Sequence, residues 1–133
     1  MAGTLVDSNV ILDVLTGDEK WSPWSEAQID EWAGRGPLFY NLVTLAEVAP
    51  CLDSLAQAEQ RLSGFKRLPM PPEAAWEAGK AFAAYRRRGG PREHPLPDFF
   101  IGAHAYAQRL PLLTRDPKRV KAAFPSVKLI CPK

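Results

Sequence analysis

The sequence predicts an α/β fold in which a mainly parallel central sheet is flanked by helices. Short apolar runs that suit buried strands alternate along the chain with longer segments whose apolar residues recur at helical spacing. Glycine and proline separate many of these segments, as expected where a chain turns. Strands that alternate with helices are typical of a parallel sheet covered on both faces. We expect the 133 residues to form a single domain over residues 1–133.

The first half of the chain is predicted to form two strands and four helices. The first strand is the apolar segment at residues 3–7, and the helix after it ends near Gly17. Ser25 is expected to cap the second helix, which Gly34 ends. The other elements predicted here are a strand at 37–41, a helix from Thr44 and a helix at 54–64.

The second half is predicted to hold three helices and two strands. A rigid break at Pro69, Pro71 and Pro72 precedes a long helix that ends near Arg88, because proline suits the first turn of a helix. Apolar residues at helical spacing form one stripe of this helix: Ala75, Ala78, Phe82 and Tyr85. The elements predicted after it are a helix at 98–108, a strand at 112–114, a helix at 118–124 and a strand at 127–130.

The composition is that of an ordinary globular domain, with 46% hydrophobic residues, 24% charged residues and a net charge of +2. No apolar stretch approaches the ~20 residues that a membrane-spanning helix needs. No signal-peptide pattern opens the chain, so we expect a cytoplasmic protein without a membrane partner. Cys51 and Cys131 match no metal-binding pattern and are interpreted as structural or incidental thiols rather than as a framework disulfide.

Four acidic residues stand where a predicted strand or loop passes into a helix: Asp7, Glu47, Asp98 and Asp116. The carboxyl ends of parallel strands meet at one edge of a sheet, where ligands usually bind. Carboxylates gathered there would repel, since two unit charges ~4 Å apart interact by about 4 kcal/mol at an effective dielectric constant near 20. A hard divalent cation such as Mg²⁺ or Mn²⁺ prefers oxygen ligands and removes this repulsion. The sequence therefore predicts a carboxylate metal site.

Each of these acids also has a structural interpretation. Glu47 stands three residues after Thr44, which is the spacing of a capping box at the start of a helix. Asp98 and Asp116 are placed to cap a helix or to favour its dipole. Asp13 is expected to be a surface or capping acid. His104 is interpreted as a packed histidine, because it lies about 240° around the helix from Asp98.

Basic residues cluster beside two of the acids. Arg86, Arg87, Arg88 and Arg92 precede Asp98, and Arg115, Lys118, Arg119 and Lys121 surround Asp116. Positive groups that flank an acidic site suit a protein that attracts a polyanion. We expect Arg86, Arg87, Arg88 and Arg115 to bind substrate, whereas His94 has a weaker claim to substrate contact. The arginine triplet at 86–88 also fits a solvated helix end, where cations are favoured.

Four segments, taken in order, resemble those of PIN-domain ribonucleases. They are Leu5-Val6-Asp7-Ser8-Asn9-Val10, Thr44-Leu45-Ala46-Glu47-Val48, Leu96-Pro97-Asp98-Phe99-Phe100-Ile101-Gly102-Ala103-His104-Ala105 and Leu112-Leu113-Thr114-Arg115-Asp116-Pro117. The resemblance covers nearly the whole chain. The compact size is similar to that of the VapC toxins, the ribonuclease halves of bacterial and archaeal toxin–antitoxin pairs.

This resemblance implies a metal-dependent endoribonuclease that hydrolyses RNA with the help of Mg²⁺ or Mn²⁺. The family's catalytic and metal-site positions fall on Asp7, Glu47, Asp98 and Asp116. Asn9 and Thr114 match polar positions that support the acids. The resemblance further implies a structured RNA substrate, a homodimer and a small VapB-like antitoxin whose tail enters the active-site groove.

Other functions compete with this interpretation. A haloacid-dehalogenase-like phosphohydrolase also begins with an aspartate after a buried strand, but needs a second aspartate where this chain has Asn9. A receiver domain would need an adjacent acidic pair and a late lysine that do not fit here. A PIN-domain nuclease could instead serve RNA maturation or decay without a toxin role. A non-catalytic module that binds RNA or protein is also possible, although the four acids count against it.

Overall fold

A five-stranded, all-parallel sheet forms the centre of the computed structural model, which describes residues 2–90 and 95–133. The strands are β1 (Thr4–Val6), β2 (Leu38–Tyr40), β3 (Lys66–Arg67), β4 (Leu112–Leu113) and β5 (Leu129–Ile130). Their order across the sheet is β3-β2-β1-β4-β5, so β1 is the middle strand. The predicted parallel sheet is confirmed. Arg92 of the basic cluster before Asp98, and His94 with its weaker claim to substrate contact, lie outside the described residues.

Seven α-helices connect these strands within the described ranges. They are α1 (Ser8–Thr16), α2 (Ser22–Ala33), α3 (Leu42–Val48), α4 (Leu55–Arg61), α5 (Pro72–Arg87), α6 (Pro97–Gln108) and α7 (Lys118–Ala123). A short 3₁₀ helix, Ala49–Cys51, follows α3. The long helix predicted after the proline-rich break and the apolar helix predicted at 98–108 are α5 and α6. No helix in the described part of the chain is both long and apolar enough to cross a membrane.

The sheet is covered on both faces because successive residues of each strand point to opposite sides. Leu5 and Leu112 pack with α5, α6 and α7 in one buried cluster. Val6 and Leu113 pack with α1 and α3 in a second cluster on the other face. Each strand residue named here is fully buried. These two apolar layers therefore fix the positions of β1 and β4. They also fix the positions of the residues that follow these strands.

The strand order changes direction between β1 and β4, which makes the carboxyl edge there the usual position for a ligand site. Val6 is the register partner of Leu113. The next residues, Asp7 and Thr114, therefore leave the sheet side by side. The backbone N–H of Asp7 still donates to the carbonyl of Leu113 at 2.9 Å, which holds the two strand ends together.

Two predicted helix caps are wrong, because another residue stands at the start of each helix, and one edge strand was not predicted. The cap of α3 is Asn41, whose side-chain oxygen accepts from the backbone N–H of Thr44 at 2.9 Å. Glu47 therefore belongs to the last turn of α3 and forms no capping box. The predicted cap at Ser25 is replaced by an earlier start of α2 at Ser22, with proline in the first turn. The edge strand β3 was not predicted, since its two residues are both exposed and basic.

Candidate functional site

Asp7 lies at the centre of the candidate site, directly after β1 and before α1. Its carboxylate is 4% exposed and accepts one hydrogen bond from the backbone N–H of Ser8 and one from the hydroxyl of Thr114, both at 2.8 Å. Within the described residues it forms no ion pair. Burial raises the pKa of Asp7, although the hydrogen bond from Thr114 and the charge of Arg119 oppose the change. A buried carboxylate with so few partners is destabilised as an anion.

Thr114 connects Asp7 to two other residues that the sequence singled out. While its hydroxyl donates to Asp7, its oxygen accepts from the backbone N–H of Asp116 at 3.1 Å and from the side-chain amide of Asn9 at 3.4 Å. Asn9 in turn accepts from the backbone N–H of Arg115 at 3.2 Å. This network ties the segment after β4 to the start of α1. It fixes the orientation of Asp7 and the backbone of Asp116.

Glu47 reaches the same site from the end of α3. Partial burial of its carboxylate raises its pKa, and the negative charges of Asp7 and Asp98 add to the rise. The hydroxyl of Ser8 and the charge of Arg119 partly offset this effect. Glu47 as a residue is exposed, and its charge interacts with that of the buried Asp7.

Asp98 and Asp116 complete the set of four acids. Asp98 lies in the first turn of α6, where the helix dipole also favours an acid. Asp116 is exposed, and its negative charge contributes to the raised pKa of Asp7. Asp116 does not cap α7, whose cap is Pro117 without any side-chain hydrogen bond. The fold therefore brings the four predicted acids close enough for their charges to interact.

The acids fit a hard divalent cation by chemistry and by charge. Every donor is a carboxylate oxygen, and the buried Asp7 has no cationic partner in an ion pair among the described residues. In residues 2–90 and 95–133, however, no three His, Cys, Asp or Glu side chains are already gathered tightly enough to hold a metal ion.

Arg119 lies among these acids. Nη1 of Arg119, in the first turn of α7, is 3.6 Å from Oδ2 of Asp98, and both side chains are 20% exposed. Its positive charge also lowers the pKa of Asp7 and of Glu47. Sequence reasoning noted Arg119 only as one of several basic residues around Asp116. Its spacing of 21 positions from Asp98 carries no signal of this contact.

Asp13 and Arg115 form a second charged group beside the site. Asp13 is 2% exposed and accepts from Nε and Nη2 of Arg115, both at 2.8 Å, and from the hydroxyl of Ser25 at 2.8 Å. The guanidinium of Arg115 also lies 5.3 Å from the ring centroid of Trp21. The prediction that Asp13 is a surface or capping acid is wrong. Arg115 was expected to bind substrate, but its guanidinium forms an ion pair with Asp13. Its side chain is 29% exposed.

The other predicted substrate-binding residues lie at the end of α5. Arg86, Arg87 and Arg88 are exposed. Arg88 lines a pocket of about 330 Å³ together with Asp116 and Arg119. The floor of this pocket includes Tyr85 and Phe99, whose rings lie 5.5 Å apart. A basic and aromatic surface thus continues directly from the acidic group.

His104 is a buried structural residue, as predicted. It is completely buried, and its Nδ1 lies 3.0 Å from the side-chain nitrogen of Asn41. Because the oxygen of Asn41 caps Thr44, the Asn41 nitrogen donates to Nδ1, and Nε2 of His104 donates to Gln108 at 2.6 Å. These partners suit a neutral ring, and burial lowers the pKa of His104. His104 therefore joins α6 to the cap of α3.

Comparison with solved structures finds the same fold at low sequence identity. VapBC2 from Rickettsia felis, bound to a DNA fragment from its promoter, matches with a TM-score of 0.74 and 15% identity over 99% of this chain and 100% of that one. VapBC-1 from nontypeable Haemophilus influenzae matches with a TM-score of 0.72 and 16% identity over 98% of both chains. A toxin–antitoxin complex from Klebsiella pneumoniae matches with a TM-score of 0.67 and 24% identity over 98% of both chains.

Family assignment rests on the sequence. None of the proteins with curated descriptions matches this chain. The family model of the PIN domain, in contrast, matches residues 4–125. This range includes the strands β1 to β4 and all four acids of the site. The chain is therefore a member of the PIN domain family.

Proposed function

We propose that this protein is a metal-dependent endoribonuclease and the toxin of a VapBC-type toxin–antitoxin pair. The observation that carries the nuclease assignment is the buried, incompletely neutralised carboxylate of Asp7 beside three further acids at the carboxyl edge of a parallel sheet. A site of this kind suits a divalent cation and an anionic substrate. Membership of the PIN domain family supports the same assignment.

Each acid has its own part in the proposed site. Asp7 and Asp98 would bind the metal ion directly, and Glu47 would bind it directly or through water. Asp116 would support a second metal position. Mg²⁺ or Mn²⁺ held there would supply an activated water and would neutralise charge on the phosphodiester. Thr114 and Asn9 keep the carboxylate of Asp7 and the backbone of Asp116 in place through the hydrogen bonds described above. 

RNA is the proposed substrate because exposed basic side chains continue from the acidic group. Arg86, Arg87 and Arg88 would contact phosphates of a structured RNA and raise its affinity without taking part in the chemistry. Arg115 is the weaker candidate, since Asp13 already accepts two hydrogen bonds from its guanidinium. Its charge would still contribute to the field at the rim of the site.

The toxin role rests on the likeness to chains from toxin–antitoxin complexes. We expect a small VapB-like antitoxin that places a cation among Asp7, Glu47 and Asp98, and apolar groups along a neighbouring groove. Such a cation would satisfy the carboxylates that otherwise bind metal, so antitoxin and metal should compete. We also expect the protein to form a homodimer.

Cleavage of a structured RNA by the purified protein tests the nuclease assignment. Asp7→Asn and Asp98→Asn should each lower the cleavage rate by at least ~100-fold in Mg²⁺ or Mn²⁺, because each removes ligand charge from the site. Asp30→Asn is the matched control, since Asp30 is an exposed acid on α2. Full activity in both site variants, or undiminished activity in excess chelator, would contradict the mechanism.

Expression in a bacterial host tests the toxin role separately. Growth should stop when the wild-type chain is expressed and continue when Asp7→Asn is expressed. Co-expression with the adjacent small gene should restore growth and yield a stable complex. Sequencing of RNA fragments after induction would identify the target. Harmless expression of an active nuclease would remove the toxin role and leave the nuclease assignment standing.

A further inference from the structure

Arg119 is the only residue in the described part of the chain that forms an ion pair with one of the four acids. The 3.6 Å separation from Asp98 is longer than a hydrogen bond, so the pair is held mainly by charge. The same guanidinium acts on Asp7 and Glu47 through its charge. One arginine thus compensates three carboxylates that have been assigned to metal binding.

The guanidinium of Arg119 is weakly held in this position. Its Nε atom is buried and has no hydrogen-bond partner. Arg115, by contrast, donates two hydrogen bonds of 2.8 Å to one carboxylate. A buried donor without an acceptor makes the arrangement less favourable, so a divalent cation can displace this guanidinium more easily than a fully hydrogen-bonded one. The adjoining pocket of about 330 Å³, which Arg119 itself lines, provides space for it.

We propose that Arg119 is an internal counter-ion that stabilises the metal-free acidic site and competes with a divalent cation for the same carboxylates. This inference rests on the proposed function. When a cation binds, the guanidinium gives up the acids and turns into the adjoining pocket. The carboxylates of Asp7, Glu47 and Asp98 then hold the cation in place of the guanidinium.

Metal binding to the intact, metal-stripped chain tests the proposal without any reference to cleavage. Isothermal titration calorimetry with Mn²⁺ should show that Arg119→Gln binds the ion about tenfold more tightly than wild type, since a positive charge 3.6 Å from the carboxylate of Asp98 no longer opposes it. Lys118→Gln is the matched control, because it removes one positive charge from the adjacent, exposed position of α7. Its affinity should stay within about twofold of wild type.

Two further measurements separate competition from a general change in charge. In chelator, Arg119→Gln should melt at a lower temperature than Lys118→Gln, and the gap should narrow in Mn²⁺. In the wild-type protein, Mg²⁺ should shift the side-chain Nε–H resonance of Arg119, identified from its loss in Arg119→Lys. The resonance requires no destabilised variant, so it tests the proposal even if Arg119→Gln folds poorly.

The outcomes distinguish the inference from the function on which it rests. Equal Mn²⁺ affinities for Arg119→Gln and Lys118→Gln, or an Nε–H resonance unmoved by saturating Mg²⁺, would overturn the role of Arg119 alone. A wild-type chain that binds no divalent cation would overturn the metal-dependent function as well.

Discussion

Two aspartates, one just before α1 and one within it, are almost equally buried, yet their surroundings differ. Asp13, which is 2% exposed, accepts three side-chain hydrogen bonds, two of them from the guanidinium of Arg115. Asp7, which is 4% exposed, accepts hydrogen bonds from neutral groups of Ser8 and Thr114 and from no cation in the part of the chain that the structure describes. A buried anion is unfavourable unless a charge compensates it. Asp13 is compensated by a guanidinium that is hydrogen-bonded to it, whereas Asp7 has only the charge of Arg119, which forms no ion pair with it, and is left for a cation from outside.

This difference separates a structural carboxylate from a functional one more clearly than burial does. The Asp13–Arg115 pair anchors the segment after β4 to α1 and α2, because Ser25 on α2 contacts the same carboxylate. Asp7 contributes little to that anchoring. Its position follows from the strands and from Thr114, and its charge makes the metal-free fold less stable.

The largest expected effect on stability comes from breaking the compensated pair. Asp13→Asn should lower the free energy of unfolding by about 2–3 kcal/mol, because it leaves Arg115 without its counter-charge; partial exposure of Arg115 keeps the loss below that of a fully buried pair. Asp7→Asn should change the stability of the metal-free protein by less than about 1 kcal/mol, since it removes an unfavourable charge. Urea denaturation in chelator measures both values.

The same two variants should differ in their response to metal. Wild type and Asp13→Asn should gain stability when Mn²⁺ is added, because the cation binds the folded state. Asp7→Asn should gain little. If Asp7→Asn proved as destabilising as Asp13→Asn in chelator, or kept the full gain from Mn²⁺, the contrast between the two aspartates would be wrong.

A smaller effect is expected from pH. Burial raises the pKa of Asp7 above its ordinary value of 3.8, so its stabilising contribution is complete below that value and is lost as pH rises through the raised pKa. Metal-free wild type should therefore lose stability relative to Asp7→Asn as the pH rises from about 4 through the raised pKa of Asp7. Unfolding free energies of the two proteins at several pH values give this difference. His104, whose pKa is lowered, is common to both proteins and cancels.

A difference that stayed constant across this range would contradict the raised pKa. If the free energy of unfolding of wild type instead rose relative to that of Asp7→Asn with increasing pH, the negative charge of Asp7 would be compensated in the metal-free protein. Asp13→Asn serves as a comparison, since its effect on stability comes mainly from losing the pair with Arg115 and not from the charge of Asp7.

The smallest effect concerns the exposed arginines. Replacing Arg86, Arg87 and Arg88 with alanine should weaken RNA binding and reduce the slope of log K against log salt by up to about 2, because fewer counterions are released. Arg115→Gln should change the slope less, since Asp13 already compensates that charge. Binding of an uncleaved RNA to the Asp7→Asn background, measured at several salt concentrations, gives both slopes. An unchanged slope for the triple variant would assign the triplet to a solvated helix end.

The position of the site could be predicted from the sequence because it depends on strand ends. The acids Asp7 and Asp116 and their neighbours Asn9 and Thr114 follow short apolar runs, and parallel strands bring such residues to one edge. The alternating order of strands and helices predicted the parallel sheet for the same reason. These features depend on local pattern and on topology, which a sequence displays directly.

The compensating contacts could not be predicted in this way. Arg115 and Asp13 are 102 positions apart, and no local pattern connects them. Thr44 and Glu47 have the spacing of a capping box. The helix is nevertheless capped by Asn41, three residues before Thr44, because the buried contact with His104 holds the Asn41 side chain in place. Pairings between distant side chains are decided by the packing of the completed fold.

The shared register of β1 and β4 has a consequence for the chain lengths that this fold tolerates. Asp7 and Thr114 follow Val6 and Leu113, which are register partners. One residue inserted within β4 would turn Leu112 and Leu113 to the opposite faces of the sheet and carry the hydroxyl of Thr114 away from Asp7. An insertion in an exposed connection between helices would leave this pair untouched. Proteins built on this arrangement should therefore differ in length in their connections, while the two central strands keep their residue count.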